Sequence, residues 1–383
     1  MLLYTIFRIC FATVFIGLHA ALMVGLLLER SWERRVRRLP PREKPLVSVI
    51  IAVYNERRRI ENLLKSLCAQ EYEPVELIFV DGGSQDGTVD FIRAFFGDTP
   101  RNRVTIVTLK ENPGPNYKQY ALAQGIERAA GSLFLFTDAD CLVPEQWISS
   151  MAARMVDERV GLVIGPVAKI PQADSFFHRY QCFDHAVRYL YIAASAGLGA
   201  PGGGFGNNLI VRRSALEAIG GYAHVPYSPT EDAALIAQIR SQSRYAIHAA
   251  LGTDTLVMTL GEKDWKALIN QTLRWNNGGL FGPDRKTRLN FGFLMITIAM
   301  GVLALPLIPF LPSLWVLSAA VMFAMSMNTA ATLLIFKDVL PYRGLAPLLL
   351  CLWTPIYFTF LTILGFCQVQ FHWSGAGKKP HSL

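Results

Sequence analysis

Charged side chains are scarce in this chain. Asp, Glu, Lys and Arg make up 17% of its 383 residues, and hydrophobic residues make up 52%. Ordinary soluble domains carry about 25% charged residues, so this composition excludes a chain made only of such domains. Cysteine is sparse too. Cys10, Cys68, Cys141, Cys182, Cys351 and Cys367 form no close pair and no metal-type spacing. That excludes a disulfide framework and a zinc site, and it fits a reducing compartment. A cleaved signal peptide would carry its positive charge in front of the first apolar run and a small-residue cleavage site behind it. Here the charge lies behind. The dinucleotide fingerprint is also lacking in substance. Gly197-Leu-Gly199-Ala-Pro-Gly202 fits GxGxxG in letters only. No strand precedes it, and Pro201 and more glycines follow where a helix should start. A loop lying against a ligand or a plain linker accounts for it instead.

Long apolar runs are what the chain does have. Residues 9–28 are of roughly membrane-spanning length, with His19 the one strongly polar side chain. Arg30, Arg34, Arg35, Arg37, Arg38, Arg42 and Lys44 follow at once. The positive-inside tendency puts everything after Glu29 on the cytoplasmic side, and the same cluster suits anionic headgroups. Further spans are expected near 291–310, 314–336 and 345–366, with Pro306, Pro309 and Pro312 making the first joint a tight or broken hairpin. Lys337 and Arg343 mark a short inside loop. Three C-terminal spans would leave the tail outside, against which Lys378 and Lys379 argue weakly. One of the first two of these spans being re-entrant is the alternative. The formal net charge of +8 is thus read against a bilayer, and no nucleic-acid partner is expected.

Between the apolar ends, strand and helix signals alternate. Strands are expected at 47–53, 75–80, 104–109 and 133–136, and helices at 56–69, 88–96 and 117–130. This βαβα pattern predicts an α/β fold with a mainly parallel sheet. Another strand is expected at 161–167, a helix at 176–194, a glycine-dense loop at 197–208, a strand at 207–213 and a helix at 232–240. Thr230 is its expected N-cap, with Glu231 and Asp232 suiting the positive helix end. Residues 264–275 read as an amphipathic helix able to lie at a membrane interface. The expected organisation is a transmembrane helix at 1–28, a basic linker at 29–46 and a catalytic domain at 47–260. An interfacial segment at 261–289, a transmembrane region at 290–370 and a tail at 371–383 follow.

Residues 133–140 read Leu-Phe-Leu-Phe-Thr-Asp-Ala-Asp. Four apolar residues describe a strand buried on both faces, and Asp138 and Asp140 follow where open α/β sheets bind ligands. Successive strand residues alternate in direction, so the two acids converge only if the chain turns. An oxygen-rich pair suits Mg²⁺ or Mn²⁺ bridging to phosphates. Capping of a following helix is the other reading. Polar turns at Asn55-Glu56 and Asp81 recur along the same edge, which favours the metal.

The segments Val49-Ile-Ile-Ala-Val-Tyr-Asn-Glu56, Asp81-Gly-Gly-Ser-Gln-Asp-Gly87, Asp138-Ala-Asp140, Thr230-Glu-Asp232 and Gln271-Thr-Leu-Arg-Trp275 occur in this order. The order resembles that of membrane-embedded family 2 glycosyltransferases, which have the GT-A fold. The resemblance covers roughly residues 47–275. It implies that Ala52, Tyr54, Glu56, Asp81, Lys118 and Asp138 face the nucleotide, and that Asp140, with Asp138, holds the divalent metal. It implies Asp232 as general base, next to Glu231, with Gln271, Arg274 and Trp275 completing the catalytic set. It places the acceptor near the loop of Gly204, Asn207 and Asn208, which is glycine-richer than the family pattern. The expected reaction is inverting transfer from a UDP-sugar to a membrane lipid in a bacterial inner membrane, the catalytic part facing the cytoplasm. A processive polysaccharide synthase is the alternative.

Overall fold

The structure is a computed structural model. It describes residues 2–39, 43–97, 103–110, 116–340, 342 and 344–369. Arg42, Arg343, Lys378 and Lys379, and with them the tail, lie outside the described residues. In chain order the elements are α1 (Leu2–Val36), β1 (Val47–Val53), α2 (Glu61–Cys68), β2 (Val75–Asp81), α3 (Thr88–Phe96), β3 (Arg103–Thr108), α4 (Tyr117–Arg128) and β4 (Leu133–Asp138). Next come β5 (Cys141–Leu142), α5 (Trp147–Ala153), β6 (Val160–Ile164), β7 (Val167–Ile170), α6 (Phe176–Gly197), β8 (Leu209–Arg212), α7 (Arg213–Glu217), α8 (Glu231–Gln242) and β9 (Ala246–Ala249). The chain continues with β10 (Val257–Leu260), α9 (Trp265–Phe281), α10 (Arg285–Ala304), α11 (Trp315–Ile335) and α12 (Ala346–Phe366).

The continuous apolar runs become the sheet's centre, because a strand covered on both faces needs no polar alternation. The seven strands run in the order β3-β2-β1-β4-β8-β6-β9. Only β8 opposes its neighbours, pairing antiparallel with both β4 and β6. Val47, Ile50, Phe79, Leu135 and Val163 are sealed in its core. The sheet is therefore α/β, mixed and mostly parallel, with the carboxyl ends of β1–β4 on one edge.

Four expectations change. Residues 161–167 do not make one strand: Gly165-Pro166 breaks the run, and β6 and β7 belong to different sheets. Proline removes a ladder donor, so such a break falls at a sheet switch. The helix expected from 56 starts at Glu61 after a turn. The first apolar helix does not stop at Leu28 but runs to Val36, so Arg30, Arg34 and Arg35 are helical and not in a linker. Likewise α10 begins at Arg285, ahead of the apolar run.

Among the described residues, four helices are long and apolar enough to cross a membrane: 4–36, 285–307, 312–335 and 346–366. They are not detached from the sheet domain. A Cβ on Gly25 would lie 2.1 Å from the Ala194 carbonyl oxygen, so this glycine lets α1 press on α6. Further along, Arg154, 3% exposed on its side chain, bonds Glu33 of α1 and Asp254. Arg37 bonds the same Asp254 at 2.7 Å. Arg154→Met leaves two carboxylates short of a partner. It is expected to lower stability by about 3 kcal/mol, read as a fall in the thermal midpoint of the full chain in detergent.

Helix α9 is not a free interfacial helix. Leu268, Leu273 and Leu280 are buried against α10 and α12. Thr272 shares a 2.7 Å hydroxyl hydrogen bond with Tyr357 of α12. Trp265 sits among Phe177, Tyr180, Trp353 and Tyr357. Its apolar stripe has a protein partner.

Candidate active site

The turn that the two acids require is present. Residues 139–140 turn the chain from β4 into β5, and Asp138 and Asp140 come to line one cavity of about 360 Å³. Helix α4 delivers Lys118 to them. Asn116 caps α4, its side chain accepting from Gln119 N at 3.1 Å while donating to the Ser228 carbonyl at 2.9 Å. The α4 start is thereby tied to the loop ahead of α8. Lys118 Nζ lies 2.5 Å from Asp138 and 3.5 Å from Glu231. Burial would lower its pKa, but these carboxylates outweigh burial and hold the ammonium above the usual lysine range.

Helix α8 begins at the cavity with Glu231 and Asp232 in its first turn. Thr230 occupies the N-cap position, but its hydroxyl meets Ser228 Oγ at 3.2 Å and caps no helix N–H. Asp232 accepts from Gly206 N at 2.9 Å and from Ala233 N at 2.7 Å. Burial, then the charge of Glu231, push its carboxyl up to about 7. The glycine-rich loop reaches α8 because it lacks side chains: a Cβ on Gly204 would lie 2.7 Å from Ile236 Cδ1. Gly204 and Asn207 line the cavity. Asn208 does not. It is fully buried, donates to the Pro166 and Thr255 carbonyls at 2.7 and 2.8 Å, and accepts from Trp147 Nε1. It locks the loop from behind, so an acceptor contact by Asn208 is corrected to a structural bond.

Gln271, Arg274 and Trp275 of α9 line the cavity as well. Gln271 donates to Glu262 at 2.6 Å and Arg274 to the Pro229 carbonyl at 2.8 Å. The second bond links α9 directly to the loop before Asp232.

The four remaining expected residues sit on the adjoining sheet edge, outside the cavity. Parallel register sets Ala52 opposite Asp138 and Val53 opposite Asp81. Tyr54 is half exposed, 6.0 Å from the Tyr117 ring. Asp81 is buried and accepts from Gly83 N and Ser84 N, so its carboxylate shapes its own turn. Glu56 accepts from Arg59, and Arg59 also lies 3.9 Å from Asp140. One arginine thus connects this edge to the acid pair. Asn55, at φ 55°, accepts from Gln85 N and joins the two turns.

Sequence reasoning missed Lys169, His185, Arg188 and Glu262, all of which line the cavity. No motif contains them. Burial lowers Lys169, and burial with two neighbouring cations keeps His185 neutral. Alternation could have flagged Lys169, the charged member of an otherwise apolar short strand.

The cation fit can be tested on the donor set. Asp138 and Asp140 offer hard oxygens only. Burial, then the Asp138 charge, raise the Asp140 pKa, which marks an excess of negative charge. Among the described residues no group of three metal-type side chains occurs. Two carboxylates with remaining positions left to phosphate and water is how Mg²⁺-type sites are built, so the residues fit.

Comparison with known proteins follows from this geometry. The family model for glycosyl transferase family 21 matches residues 11–378. The chain belongs to that family. It is a glycosyltransferase, related to the group that the motif order resembles. Glycosyltransferase AglE of Haloferax volcanii is 35% identical over 143 residues, 36% of this chain and 45% of that protein. Poly-beta-1,6-N-acetyl-D-glucosamine synthase of Staphylococcus aureus strain COL is 30% identical over 141 residues, 37% of this chain and 32% of that protein. The chain therefore aligns with less than half the length of these relatives. Among solved structures, mannosyltransferase PcManGT of Pyrobaculum calidifontis, in complex with GDP-Man and Mn²⁺, superposes with TM-score 0.53 at 21% identity. That match covers 93% of this chain and 96% of that one. It establishes the GT-A fold.

Proposed function

We propose that the family 21 chain transfers one sugar from a UDP-sugar to a membrane lipid, with inversion, on the cytoplasmic side of a bacterial inner membrane. The observation that carries the lipid acceptor is the lining of the cavity. It includes Lys118, Asp138, Asp140 and Asp232, and also Leu22 and Met23 of α1, Leu294 and Ile298 of α10, Met325 of α11 and Phe358 of α12. Charged chemistry and membrane-length helices share one space, as an amphiphile entering from the bilayer requires.

Asp232 takes the proton of the acceptor hydroxyl as its oxygen attacks the anomeric carbon from the face opposite the departing diphosphate. Gly206 N and Ala233 N hold the carboxylate in place. Lys118 pairs with Asp138, lies near Glu231, and its single positive charge partly offsets the crowding of acids that raises Asp232. Arg274 is placed to meet diphosphate oxygens, and Trp275 to stack on sugar or acceptor. Ala52, Tyr54, Glu56 and Asp81 form the edge for base and ribose. Asp140 and Asp138 would hold Mg²⁺ or Mn²⁺. That ion would supply Lewis-acid stabilisation of the charge on the leaving diphosphate. The Pyrobaculum enzyme was solved with GDP-Man and Mn²⁺, which supports the metal and makes the base a point to test. The domain organisation proposed is a sheet-based catalytic unit at 47–260 held between α1 and the C-terminal helices.

A base must be unprotonated to act. With its carboxyl near 7, Asp232 is expected to make turnover rise about tenfold from pH 6 to pH 8. A flat profile of kcat across that range, with the chain folded throughout, would contradict the assignment. A second reading, processive synthesis, is favoured by similarity to the Staphylococcus polymer synthase. Product size decides: one sugar on lipid supports the first reading, a long polymer the second.

A further inference from the structure

We propose that His19 and Arg188 form a second polar subsite in the cavity, which binds a hydroxyl of the acceptor other than the one that receives the sugar. This rests on the lipid-acceptor reading and deepens it.

His19 lies on α1, fully buried, within the apolar run. Its Nδ1 is 2.9 Å from the Phe15 carbonyl oxygen. A carbonyl only accepts, so Nδ1 carries the proton. In a neutral imidazole the other nitrogen is then a bare acceptor. That Nε2 is buried without a hydrogen-bond partner among the described residues, and His19 lines the cavity. The cavity wall at His19 therefore carries an unmet acceptor.

Arg188 lies on α6 and lines the same cavity. Its Nε donates to Asp184 at 2.8 Å and its Nη1 to Asn276 at 3.3 Å. Nη2 is buried without a hydrogen-bond partner among the described residues. The guanidinium lies 4.9 Å from the Phe358 ring centroid and 5.5 Å from that of Trp275. Asp184 already balances its charge, which argues against a second phosphate site.

The two residues stand at one level. Around Gly25, α1 meets Ala194 and Leu198. Gly197 in turn meets Gly25 and Glu29, so the two helices advance together. His19 lies six residues before Gly25, and Arg188 six before Ala194. Each is about 9 Å before the contact along its own helix. One orphan accepts and the other donates. A phosphate or carboxylate would face the bare Nε2 lone pair, and an ammonium would face the guanidinium. A hydroxyl donates to one and accepts from the other.

The test uses the full chain in phosphatidylcholine nanodiscs, titrated with hexadecane-1,2-diol or hexadecan-1-ol and followed by thermal midpoint. The wild type is expected to bind the diol about 3- to 10-fold more tightly than the monoalcohol, as one added hydrogen-bonding group allows. His19→Leu should bind both alike. His19→Gln, whose amide oxygen accepts, should keep part of the preference. The paired change Arg188→Met with Asp184→Leu, which leaves no lone buried charge, should also remove it. Equal binding by the wild type, no binding of either probe, or an undiminished preference in His19→Leu would overturn the subsite. If the preference follows His19 but no lipid accepts sugar, the transfer reading fails and the subsite stands.

Discussion

Asp232→Asn lowers transfer by about 10²–10⁴-fold and leaves nucleotide-sugar binding intact: this is the largest single-residue effect expected. The substitution keeps shape and keeps an oxygen able to accept from Gly206 N or Ala233 N. It removes only the capacity to take a proton. Neighbouring Glu231 cannot stand in, because it is buried and directed at Lys118. Donor binding draws on Asp138, Asp140 and the sheet edge instead. Radiolabelled sugar transfer, beside calorimetric titration of donor, separates the two effects. Transfer at the wild-type rate in this variant would remove Asp232 as the base.

The second large effect concerns the acid pair. Asp140→Asn, or excess chelator on the wild type, is expected to lower transfer by about 10²-fold or more, since charge on the departing diphosphate then lacks its counter-ion. Asp140 is the better probe of the two acids. Asp138 is engaged by Lys118, so its removal also frees a buried ammonium. The neutral side chain at 140 relieves the like-charge crowding that raises its pKa. The variant should therefore fold at least as stably as the wild type, which a thermal midpoint checks. Unchanged turnover in chelator would contradict a metal at this position.

How far the sequence reaches is clear from particular residues. β1 and α3 fall on their expected bounds, because a β-branched run and an apolar helical stripe flanked by glycine each admit one local structure. The polar edge of the sheet was legible because polar turns recur after apolar strands. The break at Gly165-Pro166 carries a local signal, but which sheet each half joins depends on distant strands. The reversed β8 is likewise set by partners on both sides, not by its own four residues. Asn208 and Asn207 are indistinguishable as letters. Only the fold turns one toward Pro166 and Thr255 and the other toward the cavity. Arg188 and His19 belong to no motif at all. Their importance lies in unmet hydrogen bonds, which a sequence does not display. The end of α1 lies beyond the start of the basic cluster, where a linker is expected from the charges alone. Buried Glu33 and Arg154 instead carry the helix onward against the sheet domain.

The central claim is that this cavity joins a sugar-transfer centre to a lipid-bearing membrane face. Incubating the purified full chain with labelled UDP-glucose, UDP-GlcNAc and UDP-galactose, divalent metal and a total bacterial lipid extract tests it most directly. After phase separation, the account predicts label in the organic phase as a lipid carrying one sugar, lost in Asp232→Asn. Label confined to a water-soluble or insoluble polymer, or no lipid-linked label with any donor, would contradict it.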